Sequence, residues 1–376
     1  MEKYFDSDVL CHILSYLNKT CSMNLLGITK KLQKHKKLIY GKYVFDLNKI
    51  KHLPDDILKL INHIKIPTYC DNLNLIPFIN LRSLESQNKF FNIHFNFCNL
   101  SNISNTITEL YFTQEYITIN CLPKNLITLD IKTTNLSCLL NYLPKTIKHL
   151  TLRCKLFDVG LDKLNNLELL ESLRIKSNKF NDDLYDLQET LKLLEITSSI
   201  FNKPVGLLPK KLITLIIKSN AFNNSLKYLP KTLKKIMIHS NMFNKKINKL
   251  PKNLILLDIK CHLFNQPLNN LPLALKKLII NAFIMSFSLN NLPKTLIELT
   301  INCTLFNDHI NELPSDLHIL NLISEQFNQE LTNLPSNLKK LNVICKSFNR
   351  SLDNLPNNLE ELIVISDTIF TKIINK

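Results

Sequence analysis

The sequence predicts a curved solenoid of short, similar turns whose strands form a parallel sheet, preceded by a small helical segment. Two observations carry this prediction: a strict 21-residue spacing of prolines and a leucine-rich segment after each of them. The prolines of the regular part are Pro209, Pro230, Pro251, Pro272, Pro293, Pro314, Pro335 and Pro356. A unit of 21 residues buries too little surface to fold alone, so each must stack on its neighbours.

The strands are predicted by the segment that begins three residues after each proline. It has the pattern L-x-x-L-x-aliphatic, as in Leu212, Leu215 and Ile217, and twelve such segments run from Leu126 to Val364. The alternating end fits a short strand with two different faces. Four upstream turns have the proline slot filled by proline or by a substitute: Pro123, Pro144, Leu167 and Gln188.

A Phe-Asn pair stands eight residues before the proline slot in eight repeats, as in Phe201-Asn202 and Phe222-Asn223, and Met285-Ser286 replaces it in one. We expect the phenylalanines to stack in one column of the core. We expect the asparagines to satisfy backbone groups of a buried turn that would otherwise have no partner.

The full pattern, F-N-x-x-(L/I)-x-x-L-P-x-x-L-x-x-L-x-(I/L/V), resembles the FNIP repeat, a relative of the leucine-rich repeat. Asn178, Asn220 and Asn241 stand where leucine-rich repeats carry their asparagine. The resemblance covers about two thirds of the chain and implies a leucine-rich-repeat-like fold. We assign residues 123–376 to this array and residues 47–122 to divergent or capping repeats.

Residues 1–46 break the period and predict helices. A first helix, capped by Asp6 or Ser7, carries apolar residues at three- and four-residue spacing, and a second follows it. These apolar residues are Val9, Leu10, Ile13, Leu14, Leu17, Leu25 and Leu26. Their order resembles the F-box, which implies that this face docks onto a Skp1-like adaptor of a cullin-RING ubiquitin ligase. Leu53-Pro54-Asp55-Asp56-Ile57-Leu58 also looks like an F-box opening, but no helical continuation follows it.

The combination of an F-box-like start and FNIP repeats resembles a family abundant in amoebae and in giant viruses that infect them. No secretory signal is visible near the start, because charged residues interrupt it, and no apolar run is long enough for a membrane span. We therefore expect a cytoplasmic protein, in the host cytoplasm if it is viral. The net charge of +16 favours acidic partners.

No pattern of a catalytic, cofactor or metal site is present. Four of the ten cysteines, Cys154, Cys261, Cys303 and Cys345, share a slot that holds only small residues in the other repeats. A requirement for a small side chain explains them better than zinc binding does. The histidines lack ligand spacing, and four glycines are too few for a phosphate-binding loop. We predict no enzyme activity, no cofactor and no metal.

The last outward residue of each strand forms a column on the sheet face, where solenoids commonly bind their partners. Along the array the residues of this column change from charged to apolar. The predicted target-binding residues are Lys132, Arg153, Lys176, Lys218, His239, Lys260, Ile323, Ile344 and Ile365. An acidic stretch of a target would lie against the cations while its apolar part meets the isoleucines. The bland alternative is a row of solubilising lysines followed by a loosely covered edge.

Two functions remain open at this stage. The chain is either the substrate-recruiting subunit of a Skp1-cullin-type ubiquitin ligase or a scaffold whose degenerate F-box no longer binds Skp1. Nucleic-acid binding is disfavoured, because the chain has no tryptophan and its repeated phenylalanine belongs to the core slot.

Overall fold

The computed structural model describes residues 122–367, with gaps at 135, 137–139, 158–159 and 287. Upstream it describes residues 44–46, 50, 53, 55–59, 61–66, 83–86 and 106–113, and downstream residues 372–375. The chain divides into two compact units, Met1–Val159 and Gly160–Lys376. The boundary lies in the degenerate repeat whose proline slot holds Leu167.

The first unit is a parallel sheet of short strands. Its strands are β1 Val44–Asp46, β2 His63–Ile66, β3 Ser83–Ser86, β4 Glu109–Thr113, β5 Thr128–Thr133 and β6 His149–Cys154. Each pairs in parallel with the next. A four-residue helix, α1 (Asp55–Leu58), precedes β2, and a 3-10 turn occupies Leu140–Tyr142. The strand after α1 agrees with the expectation that no F-box helices continue from Leu53-Pro54.

The second unit contains the regular repeats. After a 3-10 turn at Leu161–Leu164 come β7 Ser172–Lys176, β8 Leu193–Ser198, β9 Thr214–Ser219, β10 Lys235–His239, β11 Leu256–Lys260, β12 Lys277–Ala282, β13 Glu298–Cys303, β14 Ile319–Ser324, β15 Lys340–Cys345, β16 Glu361–Ile365 and β17 Lys372–Asn375. From β7 to β16 each strand is parallel to the next, and residues 21 apart stand opposite each other. β17 runs antiparallel to β16.

Alternation of inward and outward side chains explains why these segments form strands. In β9 the burial alternates strictly, and the side chains of Leu215 and Ile217 have no solvent exposure. The predicted strand segments are confirmed at this level, since the leucine and isoleucine slots form the core. Burying one such side chain stabilises the fold by about 1.5–3 kcal/mol.

The chain enters each strand through a turn at the proline. The N–H of Leu212 donates to the carbonyl of Pro209 at 3.1 Å, and the other prolines of the array repeat this bond. Proline suits the position because its ring fixes φ. The substitutes Leu167 and Gln188 accept the same bond, from Leu170 and Leu191 at 3.0 Å. The turn therefore persists where the proline is missing.

The phenylalanines stack as predicted. Phe180, Phe201, Phe222, Phe243 and Phe264 are fully buried, and adjacent rings lie 5.7–6.0 Å apart, close to parallel. A second stack unites Phe306, Phe327 and Phe348. Met285 fills the slot between the two stacks and is also buried.

The asparagines after these phenylalanines form a ladder, but at the surface rather than in a buried turn. The side-chain oxygen of Asn202 accepts the backbone N–H of Asn223 at 2.9 Å, and Asn223 does the same for Asn244 at 3.0 Å. The bond satisfies a backbone donor of the next turn, which is the predicted role. Solvent reaches the ladder because the turn stands at the edge of the stack.

A buried polar ladder lies instead in the small-residue slot after each strand. The hydroxyl of Ser219 donates to the carbonyl of Phe201 at 2.8 Å, and that of Ser240 to Phe222 at 2.8 Å. Asn178, Asn220 and Asn241, one residue further on, are exposed. The serines thus satisfy buried carbonyls that the neighbouring asparagines do not reach.

The predicted F-box-like segment falls almost wholly outside the described residues. Val9, Leu10, Ile13, Leu14, Leu17, Leu25 and Leu26 belong to the part that is not described. The last three residues of the segment form β1.

Candidate interaction surface

The outward side chains of the second unit form columns across the strands. We call the last outward residue of each strand, from Lys176 in β7 to Ile365 in β16, the distal column. The residues two positions earlier, from Arg174 to Ile363, are the middle column. Register pairing places the members of each column opposite one another, for example Lys218 beside His239 and His239 beside Lys260. The structure therefore places Lys176, Lys218, His239, Lys260, Ile323, Ile344 and Ile365 in one column, and their role in target binding stays a prediction.

Lys132 and Arg153, the other predicted members, belong to the first unit. They stand opposite each other on β5 and β6, and both are exposed. Arg153 donates to the carboxylate of Asp130 at 2.5 Å.

A carboxylate of the middle column holds two cations in the first part of the second unit. Glu195 has a side chain only 10% exposed, and its two oxygens lie 3.3 Å from Arg174 Nε and 3.3 Å from Lys218 Nζ. A charge with so little exposure needs such partners. The two cations remain partly exposed, and their positions on the sheet face are fixed by the shared anion.

Asp258 plays the same part three turns further on. Its side chain is 4% exposed, with Oδ2 3.1 Å from His239 Nε2 and 4.0 Å from Lys260 Nζ. Its second oxygen, Oδ1, has no hydrogen-bond partner within the described part of the chain. The cationic half of the distal column is therefore partly neutralised from within, which the sequence analysis missed. Aligning the repeats would have found the signal, since Asp130, Glu195 and Asp258 occupy the same position of their repeats in the sequence.

The apolar end of the distal column borders a groove. Ile323, Ile344 and Ile365 line a depression of about 280 Å³, and Ile365 is 42% exposed. Glu325 and Lys346 also line it, and they form an ion pair at 2.6 Å. A lining that combines apolar and charged side chains suits a segment that is itself partly apolar and partly polar.

The cysteines of the small-residue slot are buried thiols. Cys154, Cys261, Cys303 and Cys345 are at most 5% exposed. Burial raises the pKa of the Cys345 thiol to about 11 and also raises the pKa of Cys261 and Cys303. A protonated, enclosed thiol is a poor nucleophile and a poor metal ligand. Among the described residues, no group of three or more His, Cys, Asp or Glu side chains could hold a metal ion.

No protein-family model and no curated protein matches the chain. Solved structures do. The CroV588 structure, described as a novel circular LRR protein, aligns with a TM-score of 0.58 at 24% identity over 82% of this chain and 53% of its own. The chain has the leucine-rich-repeat fold. This chain thus spans about half the length of the CroV588 protein.

Two bacterial proteins share the leucine-rich-repeat fold with this chain. An internalin of Listeria monocytogenes aligns with a TM-score of 0.54 at 17% identity, over 86% of this chain and 93% of its own. A leucine-rich-repeat protein of Leptospira interrogans aligns with a TM-score of 0.52 at 19% identity, over 85% and 88% of the two chains. At these sequence identities the similarity shows a shared fold and nothing more specific.

None of the helices in the described part of the chain has the length and apolar character needed to cross a bilayer.

Proposed function

We propose that the chain recruits a protein target on the sheet face of its repeats and presents it to a ubiquitin ligase through residues 1–46. The F-box-like face of Val9, Leu10, Ile13, Leu14 and Leu17, with Leu25 and Leu26, would bind a Skp1-like adaptor. The chain itself performs no chemistry, and ubiquitin transfer belongs to the ligase. This role is exercised in the cytoplasm.

The observation that carries the recruiting role is the composition of the distal column in the second unit. Lys218 contacts Glu195, and His239 and Lys260 lie within 4.0 Å of Asp258, so a partner has less to order at these side chains on binding. Its far end presents isoleucines along an open groove. A target segment that is acidic at one end and apolar at the other matches both halves.

The contacts with Glu195 and Asp258 determine how much the basic half and the isoleucine half of the distal column each contribute to affinity. Because Lys218, His239 and Lys260 already face carboxylates, their attraction for an acidic target is weaker than the bare count of cations implies. The isoleucine end then supplies most of the affinity, and the cations supply orientation and rate of encounter.

A second candidate is a scaffold that binds its target without a ligase. It is favoured by one sequence observation: the Leu-Pro opening usual in the F-box is replaced here by Phe5-Asp6. Nucleic-acid binding has less support, because Phe180, Phe201, Phe222 and Phe243 are fully buried and offer no stacking platform.

Pull-down of the full chain with recombinant Skp1 separates the two candidates. We expect capture of the wild type, and loss of at least about tenfold on changing Leu10→Asp together with Leu14→Asp, because charges would enter an apolar interface. The matched control is Leu207→Asp with Leu273→Asp, since these leucines are 70% and 78% exposed in the repeats. The control should bind as the wild type does. Capture of the Leu10, Leu14 variant at wild-type level would refute the docking assignment.

A further inference from the structure

A second row of outward residues lies at the opposite edge of the sheet face. It consists of the residue just before each strand, between the two buried leucines of L-x-x-L. Across seven consecutive turns a basic residue alternates with isoleucine, and an eighth turn adds a further lysine: Lys192, Ile213, Lys234, Ile255, Lys276, Ile297, His318 and Lys339. We call this set the lysine–isoleucine row.

The row is ordered by the backbone and open to solvent. The N–H of each member donates to the carbonyl of the residue at the same position one turn earlier, which for Lys192 is Glu171, at 2.8–2.9 Å. Ile213, Ile255 and Ile297 are 39%, 42% and 38% exposed, which is high for residues of this type. The side chains therefore stand side by side at the strand spacing of about 4.8 Å.

A glutamate occupies the same repeat position one turn before the first member of the row and one turn after its last member. Glu171 pairs with Lys192 at 2.9 Å, and Glu360 pairs with Lys339 at 2.8 Å. Within the described part of the chain, neither Lys234 nor Lys276 has a carboxylate within ion-pair distance. The open centre thus reads isoleucine, lysine, isoleucine, lysine, isoleucine.

We propose that this centre binds an acidic amphipathic α-helix laid across the strands, with one helical turn over each repeat. A helix advances about 5.4 Å per turn, against about 4.8 Å per strand. The mismatch of about 0.6 Å per turn adds up to half of the strand spacing only after four turns. Long side chains can span an offset of that size. Glutamates seven residues apart would meet Lys234 and Lys276, and apolar residues midway between them would meet the three isoleucines.

Other partners fit the spacing less well. Same-side residues of an extended peptide recur about every 6.6 Å, so a strand laid along the row loses register by about 2 Å per turn. A nucleic acid would use the lysines and leave the isoleucines between them uncovered, at a cost in solvent-exposed apolar surface. Charge and periodicity together favour the helix.

This site goes beyond the proposed function, because it requires neither Skp1 nor the distal column. Five residues along each strand separate the two surfaces, or about 16 Å. Variants of one surface can therefore be made without touching the other.

The test measures fluorescence anisotropy of labelled peptides with the full chain at about 0.15 M salt. The probe is an alanine-based helix of about 20 residues with three leucines seven residues apart and glutamates midway between them. One control peptide has the same composition with its leucines moved to the opposite face. A second alternates leucine and glutamate strictly, as a strand would require. We expect the first peptide to bind at least about tenfold more tightly than either control.

Two variants test the row itself. Lys234→Glu with Lys276→Glu should weaken binding at least about thirtyfold, because attraction becomes repulsion at both contacts. Lys234→Ile with Ile255→Lys keeps composition and charge but breaks the alternation, and should weaken binding about tenfold. This slot already holds both residue types in neighbouring turns, so the exchange leaves the fold intact.

Matched controls keep the failures of the two sites apart. Lys245→Glu with Lys246→Glu changes the net charge equally at an exposed loop and should alter binding less than about threefold. Lys176→Glu in the distal column should also leave it within about threefold. Wild-type affinity of the Lys234, Ile255 exchange variant would overturn the proposal. Equal binding of all three peptides, or binding of a single-stranded oligonucleotide in preference to the helix, would do so as well.

Discussion

One slot at the end of each strand holds only small side chains, and it is buried beside the backbone of the phenylalanine in the preceding turn. Ser198, Ser219 and Ser240 occupy it and donate to the carbonyls of Phe180, Phe201 and Phe222 at 2.7–2.8 Å. A thiol has nearly the same volume and is a weak donor, so cysteine is accepted in its place. The size limit could be predicted from the aligned repeats. The hydrogen bond could not, because the sequence does not tell which carbonyl a hydroxyl reaches.

The buried cysteines should resist alkylation until the chain unfolds. With a pKa of about 11, Cys345 is a thiolate in about one molecule in a thousand at pH 8. Iodoacetamide labelling followed by peptide mass mapping should find Cys345 unmodified in the native protein and modified in urea. Rapid native labelling would contradict the burial.

The same thiol makes stability depend on pH in the alkaline range. The thiol loses its proton near pH 8.5 in the unfolded chain, before it does so in the folded chain. The contribution of the protonated thiol to the free energy of unfolding is therefore complete below pH 8.5. It is lost as the pH rises towards about 11, the folded pKa.

At the scale of the element, each repeat is a turn, a strand and a return turn that holds one phenylalanine. The alternation of the strands and the proline spacing sufficed to predict these parts, because each repeats a local pattern. Upstream the strands keep parallel pairing at unequal separations: partners are 19, 20, 26 and 19 residues apart from β1 to β5. A period search cannot find such turns, since loop length varies while the pairing does not.

Removing one ring from the phenylalanine stack should destabilise the second unit strongly. Phe243→Ala would leave a cavity between Phe222 and Phe264 and cost about 3–5 kcal/mol. Leu207→Ala, at a side chain that is 70% exposed, should change stability by less than about 0.5 kcal/mol. Urea denaturation followed by circular dichroism measures both. A loss below about 1 kcal/mol for Phe243→Ala would mean that the stack contributes little.

At the scale of the whole molecule, function depends on what the stacked turns leave on the outward face. The distal column could be predicted, because register follows from the period. The carboxylates of the middle column were missed, although they occupy one repeat position, because only the structure shows that they are nearly buried and which basic side chains they contact. The alternation of the lysine–isoleucine row is likewise visible only across turns, and its significance depends on the exposure of the isoleucines.

Superposition of the turns in register underlies both surfaces, and distances between spin labels test it most directly. The nitroxide labels are carried by genetically encoded unnatural amino acids that replace the native residues. One labelled pair is at Lys176 and Lys260, four turns apart, and the other is at Lys176 and Ile344, eight turns apart. Double electron–electron resonance should give sharp distances near 19 Å and 38 Å, about 4.8 Å for each turn. A Lys176–Ile344 distance no longer than the Lys176–Lys260 distance, or a broad distribution without a peak, would contradict the stacked register.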